Sequence, residues 1–215
     1  MPIESLGPVA LRLLVCFALG SIPFAVIAMA GSGIDIRKVG SGNPGFNNVL
    51  RVSKGRAVLA LIGDMGKGYV ALWLVLKAWP LGSSVPPWPS TVGWAWLCGF
   101  AAVLGHCFSP FLAFNGGKGI ATSGGVMLML YPRWAGMALA YFVLSRIALG
   151  KLKTREAGAT ASLTTWLLFT LLMLVLAGRA DAAYSAVMSL FLLWRHKKNL
   201  QSLLGGNVKV AAVQR

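Results

Sequence analysis

Residues 39–51, VGSGNPGFNNVLR, place Gly40, Gly42 and Gly45 at G-x-G-x-x-G spacing. Such glycines let backbone N–H groups converge on a phosphate, while Ser41, Asn43, Asn48 and Arg51 add side-chain donors, Arg51 in the forked form that suits an oxyanion. A dinucleotide site would also require a strand before the loop, a helix after it and an acidic residue about 20 residues on. Instead the loop is flanked by apolar runs at 6–30 and 57–79, each long enough to cross a bilayer. Spacing alone leaves a flexible turn and a phosphate cradle both open.

A second glycine-rich loop, FNGGKGIATSGG at 114–125, is not a P-loop, because Lys118 is followed by Gly119 rather than Ser or Thr. Its chemical content is similar. Gly116, Gly117 and Gly119 free the backbone, Lys118 supplies charge, Thr122 a hydroxyl, and a following helix would aim its N-terminus at a bound anion. Two such loops on one side of a membrane predict two phosphates. In RHKKNLQSLLGGN (195–207), His196 and Asn199 are three apart and share a helical face, as a hydrogen-bonding pair or as part of a charged interfacial cuff.

Within the apolar runs lie Arg12, Asp64, Lys67 and His106. A charge at the centre of a membrane helix costs at least about 2.5–3.5 kcal/mol, so each requires a partner or a polar cavity. Asp64 and Lys67, three apart, can neutralise each other, either as a self-contained pair or as one that orients a site. His106 reads as a buried histidine with its hydrogen bonds satisfied or as a ligand, and the sequence supplies no partner for Arg12. Cys16, Cys98 and Cys107 lie in or beside apolar segments without metal-ligand spacing, so neither a metal site nor a disulfide is expected.

The elements that must carry these groups follow from composition. Of 215 residues, 57% are hydrophobic and 12% charged, against about 25% charged in a soluble domain. This is a polytopic membrane protein, predicted as a single domain over 1–207 with a short tail, 208–215, that is poorly ordered. Its net charge of +15 would suggest nucleic acid in a soluble chain. Here, however, most Lys and Arg fall after the first span, near 146–155 and in the C-terminal region, and none lies between 80 and 91. That asymmetry predicts basic loops and C-terminus in the cytoplasm, the N-terminus outside, and a surface suited to anionic headgroups and substrates. The small-residue triplet at 28–30 resembles a signal-cleavage site, but the N-terminus carries Glu4 and no early Lys or Arg, Arg12 interrupts the apolar run and the basic residues follow it, so the first run reads as a retained span.

Apolar segments at 6–30, 57–79, 92–114, 121–149, 162–177 and 182–194 predict an all-α protein. Pro132 splits the fourth into a hairpin of two short helices, which gives seven crossings. Trp79, Trp88, Trp94, Trp134 and Trp194 stand near proposed ends, as interfacial anchors do.

On these residues the chain resembles the bacterial PlsY family, glycerol-3-phosphate acyltransferases that use acyl phosphate. The motifs are GSIPF at 20–24, DIRKVGSGNPGFNNVLR at 35–51, DMGKG at 64–68, LGH at 104–106, FNGGKGIATS at 114–123 and HKKNL at 196–200. The resemblance implies seven spans in the bacterial inner membrane and a cytoplasm-facing site. There an acyl group moves from acyl phosphate to the sn-1 hydroxyl of glycerol 3-phosphate, giving lysophosphatidic acid and phosphate. An acyl phosphate carries its own leaving group, so neither an activated Ser or Cys nor coenzyme A nor a metal is expected. The task is to hold two anions so that a hydroxyl reaches the acyl carbon.

Under that reading Lys118, His196 and Asn199 are the catalytic set. Ser41, Gly42, Asn43, Gly45, Asn48, Arg51, Gly116, Gly117, Gly119 and Thr122 bind phosphate, and Asp64, Lys67, His106 and Arg155 support them. The partners are the two substrates, the bilayer and the enzyme that supplies acyl phosphate, with no nucleic acid. The chain departs from the family's T-R-x-x-S-L-x-S, having Gly158 and Ala161 at the serine positions. Ser202 replaces a usual arginine, and Val208 falls where an acid is expected. Altered acceptor, weaker binding and lost activity all follow as possibilities, so a carrier of a phosphorylated solute and an inactive scaffold stand as competing readings.

Overall fold

A computed structural model describes residues 6–78 and 91–205, so Trp79, Trp88, the 80–90 connection, Val208 and the tail lie outside the described residues. The described residues form ten α-helices and no strand, in two compact units, 6–130 and 131–205.

The first unit contains α1 (Leu6–Ser21), α2 (Phe24–Met29), α3 (Phe46–Val52), α4 (Lys54–Trp73), α5 (Thr91–Cys107) and α6 (Ile120–Leu130). The expected continuous first span is broken. Pro23 lacks an N–H and disfavours helix in the residue before it, so α1 stops at Ser21 and α2 restarts at Phe24. The carbonyls freed by the break are used: Lys67 Nζ donates to Ile22 O at 2.7 Å, and Ser109 Oγ to Ser21 O at 2.6 Å. Arg56 Nη1 donates to Ala28 O and Ala30 O, each at 2.7 Å, and so closes the end of α2.

Helix α4 is central, packing on α1, α2, α3, α5 and α6. It begins at Ser53, whose hydroxyl accepts from Arg56 N, and ends in a π turn, Leu74–Ala78. Two of the helix pairs meet backbone to backbone. A Cβ on Gly20 would stand 2.0 Å from the Ala102 oxygen and one on Gly105 2.1 Å from that of Phe17. On Gly125 it would stand 1.9 Å from the Met65 oxygen and on Gly68 2.2 Å from that of Thr122. Lipid tails are as apolar as leucine, so such close approach, rather than a hydrophobic drive, holds α1 on α5 and α4 on α6.

The second unit contains α7 (Pro132–Lys151), α8 (Ala157–Leu176), α9 (Arg179–Arg195) and α10 (Lys197–Leu203). The chain does part at Pro132, as expected, but α7 is 20 residues long, not short, and only α6, at 11, is. Helices α8 and α9 turn on Gly178, whose φ of +110° excludes other residues. They are clasped by hydroxyls: Thr170 Oγ1 lies 2.8 Å from Ser185 Oγ and 2.9 Å from Ser189 Oγ. In hydrocarbon such bonds replace water as partner.

Four segments are long and apolar enough to cross a membrane: Gly7–Met29, Lys54–Ala78, Val92–Leu112 and Ala157–Leu176. Large apolar side chains point outward from them and from α7, among them Leu14, Ile62, Leu144 and Val175, as a lipid solvent allows.

Candidate active site

The 39–51 loop is built around Asn48. This side chain is buried, accepts from Ser41 N through Oδ1 at 3.0 Å, and donates through Nδ2 to Ile36 O at 2.9 Å and Val39 O at 3.0 Å. Asn48 therefore acts on the loop from within. Gly40 and Gly42 have φ of +57° and +67°, and a Cβ on Gly40 would stand 2.4 Å from Asn48 Oδ1. Gly45 is extended and leads into α3, with Asn43 beside it. Ser41 and Arg51 are exposed on the loop's outer side. Asn48→Ala removes a donor group and an acceptor from buried backbone partners, and should loosen the loop by about 2 kcal/mol. In hydrogen exchange the Ser41 amide should open roughly thirtyfold faster; an unchanged rate would show that the loop does not hang on Asn48.

Just upstream, Arg37 holds Asp35 bidentately, Nε to Oδ1 and Nη2 to Oδ2, both at 2.9 Å. The Arg37 side chain first, then its backbone N–H, lower the Asp35 carboxyl from 3.8 to about 2. A carboxyl depressed on folding supports the fold above its unfolded pKa and loses that support as pH falls through the folded one, here between about 4 and 2. The Asp35 carboxyl carbon should titrate by NMR near the lower end of that window, and at higher pH in Arg37→Ala, which keeps only the backbone N–H of residue 37 and Lys38 nearby.

The 114–119 loop rests on a buried polar chain. Asp64 Oδ1 lies 2.8 Å from Lys67 Nζ and 3.4 Å from His106 Nδ1, and all three side chains are buried. Lys67 also sits 5.9 Å from the Phe24 ring centroid. From His106 the chain continues through backbone: Gly117 N donates to His106 O and Gly116 N to Cys107 O, both at 3.1 Å. A Cβ on Gly116 would stand 2.0 Å from the His106 oxygen, and one on Gly117 2.1 Å from His106 Nε2. The two glycines thus lie flat on the His106 region, and Lys118 follows, half-buried. Gly119 has φ +90° and accepts from Ser123 N at the start of α6. Thr122 is fully buried, at the crossing with Gly68, and its hydroxyl has no hydrogen-bond partner among the described residues.

In the second unit, His196 and Asn199 bracket the turn from α9 to α10. His196 is buried with Nδ1 2.8 Å from Leu192 O, and Asn199 Nδ2 donates to Glu156 Oε2 at 2.6 Å. Glu156 was not legible as a site residue; its partner is 43 positions away. Arg155 is exposed beside it. Gly158 and Ala161 lie in the first turns of α8, where Ala161 is buried, and Ser202 is buried in α10. Among the described residues no cluster of three or more metal-ligating side chains occurs.

The geometry can be set beside known proteins. Residues 10–206 match the family model described as glycerol-3-phosphate acyltransferase. A glycerol-3-phosphate acyltransferase of Deinococcus radiodurans is 42% identical over 91% of this chain and 92% of its own length. One of Pseudomonas syringae is 40% identical over 88% and 91%. Among solved structures, PlsY, an integral membrane glycerol 3-phosphate acyltransferase in its glycerol 3-phosphate form, superposes with a TM-score of 0.76 at 28% identity, covering 96% of each chain. Its lysophosphatidic acid form gives 0.75 at 26%.

Proposed function

The chain belongs to the glycerol-3-phosphate acyltransferase family, and on that premise we propose that it acylates glycerol 3-phosphate to lysophosphatidic acid with acyl phosphate as donor, at the cytoplasmic face of a bacterial inner membrane that it crosses seven times. The observation that carries the reading is the 114–119 loop, whose glycines lie against the buried Asp64–Lys67–His106 chain while Lys118 extends from it.

In this reading Ser41, Asn43, Arg51 and the amides of Gly42 and Gly45 hold one phosphate, with Asn48 keeping the loop in shape. Lys118 and the amides of Gly116, Gly117 and Gly119 neutralise the other, with Thr122 at the base of α6. The sn-1 oxygen of glycerol 3-phosphate attacks the acyl carbon, the bond from that carbon to the phosphate oxygen breaks, and Lys118 stabilises charge on the departing phosphate. The hydroxyl proton passes to His196 Nε2 or to the leaving phosphate itself. His196 and Asn199 orient the acceptor, and Arg155 supports that end. No group of the chain need form a covalent intermediate, and neither coenzyme A nor a metal has a part. Contact with the enzyme that delivers acyl phosphate fits a donor that is hydrolysed in water.

The test is phosphate release by purified protein given palmitoyl phosphate, with and without glycerol 3-phosphate. Release that requires glycerol 3-phosphate and yields lysophosphatidic acid supports the reading. No release from folded protein would overturn it and make the residues at 158, 161 and 202 the main fact.

A further inference from the structure

Glu156 is one of five acidic residues in a chain of net charge +15, and it stands in a region otherwise rich in Lys and Arg. Its φ of +56° lies in the left-handed region that residues other than glycine seldom occupy. Its carbonyl accepts the first amides of α8, from Ala159 at 2.9 Å and Thr160 at 3.0 Å, so the backbone there is fixed. From this position its side chain reaches α10 and bonds Asn199 Nδ2.

A carboxylate can only accept, which decides the orientation of the amide. Asn199 must turn its NH2 end to Glu156, and its Oδ1 becomes the acceptor on the other side. The neighbouring histidine is fixed by the same logic. The Leu192 carbonyl can only accept, so His196 donates to it from Nδ1. The turn from 196 to 199 therefore carries an amide oxygen on the side of Asn199 turned away from Glu156. Acceptors repel phosphate oxygens and pair with hydroxyl protons.

We propose that Glu156 is a positioning residue that sets the polarity of Asn199, so that this turn receives the hydroxyl end of the acceptor substrate and not its phosphate. The inference rests on the acyltransferase reading above. It also accounts for how a chain without hydroxyls at 158 and 161 orders this end: the loop before α8 reaches Asn199 through Glu156.

The experiment is phosphate release from palmitoyl phosphate as a function of glycerol 3-phosphate. Glu156→Ala should raise KM for glycerol 3-phosphate at least about tenfold with kcat changed less than about threefold. Glu156→Gln, which keeps an acceptor, should recover most of that loss. Asn199→Asp, which sets two carboxylates against each other, should lose activity. Adding Glu156→Gln to it restores a donor facing an acceptor with the outward oxygen kept, and should return activity. An unmoved KM in Glu156→Ala overturns the proposal. If that variant does not fold, the swapped pair decides: an Asn199→Asp/Glu156→Gln protein no better than Asn199→Asp overturns it equally. A wild type that shows no release dependent on glycerol 3-phosphate overturns the acyltransferase reading first, and this proposal with it.

Discussion

Lys118→Ala should lower phosphate release by about 10²–10³-fold while leaving the yield and unfolding temperature of the protein unchanged. The two halves of that expectation have separate causes. The loop's shape is set by backbone hydrogen bonds from Gly116 and Gly117 to the carbonyls of Cys107 and His106, and by the flat contact of Gly117 with the imidazole. None of these involves the Lys118 side chain. Those backbone bonds remain when the ammonium is removed, and in the proposed reaction the variant loses the charge that would face the departing phosphate. Lys118→Arg should restore part of the rate, since charge is kept while its position changes. Wild-type turnover in the alanine variant would remove Lys118 from the reaction.

Asp64→Ala should destabilise the fold by about 3–5 kcal/mol, because it strips a buried charge of its partner. Lys67 would keep its bond to the Ile22 carbonyl but lose its counter-ion, and His106 would lose the carboxylate 3.4 Å from Nδ1. The shift of His106 would then reach Gly117, so residual folded protein should also turn over slowly. Thermal unfolding in detergent measures the first effect. Replacing both charges, as Asp64→Leu with Lys67→Met, should cost less than Asp64→Ala alone, since no unpaired charge stays behind. If the double variant is the less stable, the pair contributes through its geometry and not through charge balance.

What could be read from sequence divides by range. Asp64 and Lys67 announce their pairing because three residues on a helix bring them together, and the glycines at 40, 42 and 119 stand where the backbone takes positive φ. The direction in which a polar side chain points is not a local property. Asn48 reads as a ligand by type, but its amide serves Ile36, Val39 and Ser41. The contact of His106 with Gly117 and that of Glu156 with Asn199 join separate elements, so spacing could not reveal them. Pro23 marks the break, but the 23-residue segment Gly7–Met29 is apolar enough on average to read as one continuous span.

The pairing within α4 has a consequence for biogenesis. Asp64 and Lys67 share one helix, so the segment entering the bilayer during synthesis brings the counter-ion of its buried lysine with it. Neither α5 nor its histidine has yet been made at that moment. The Ile22 carbonyl, to which the lysine donates, belongs to the preceding span and is already made. For the lysine, then, insertion of the second span can proceed in chain order, with His106 joining only when α5 arrives.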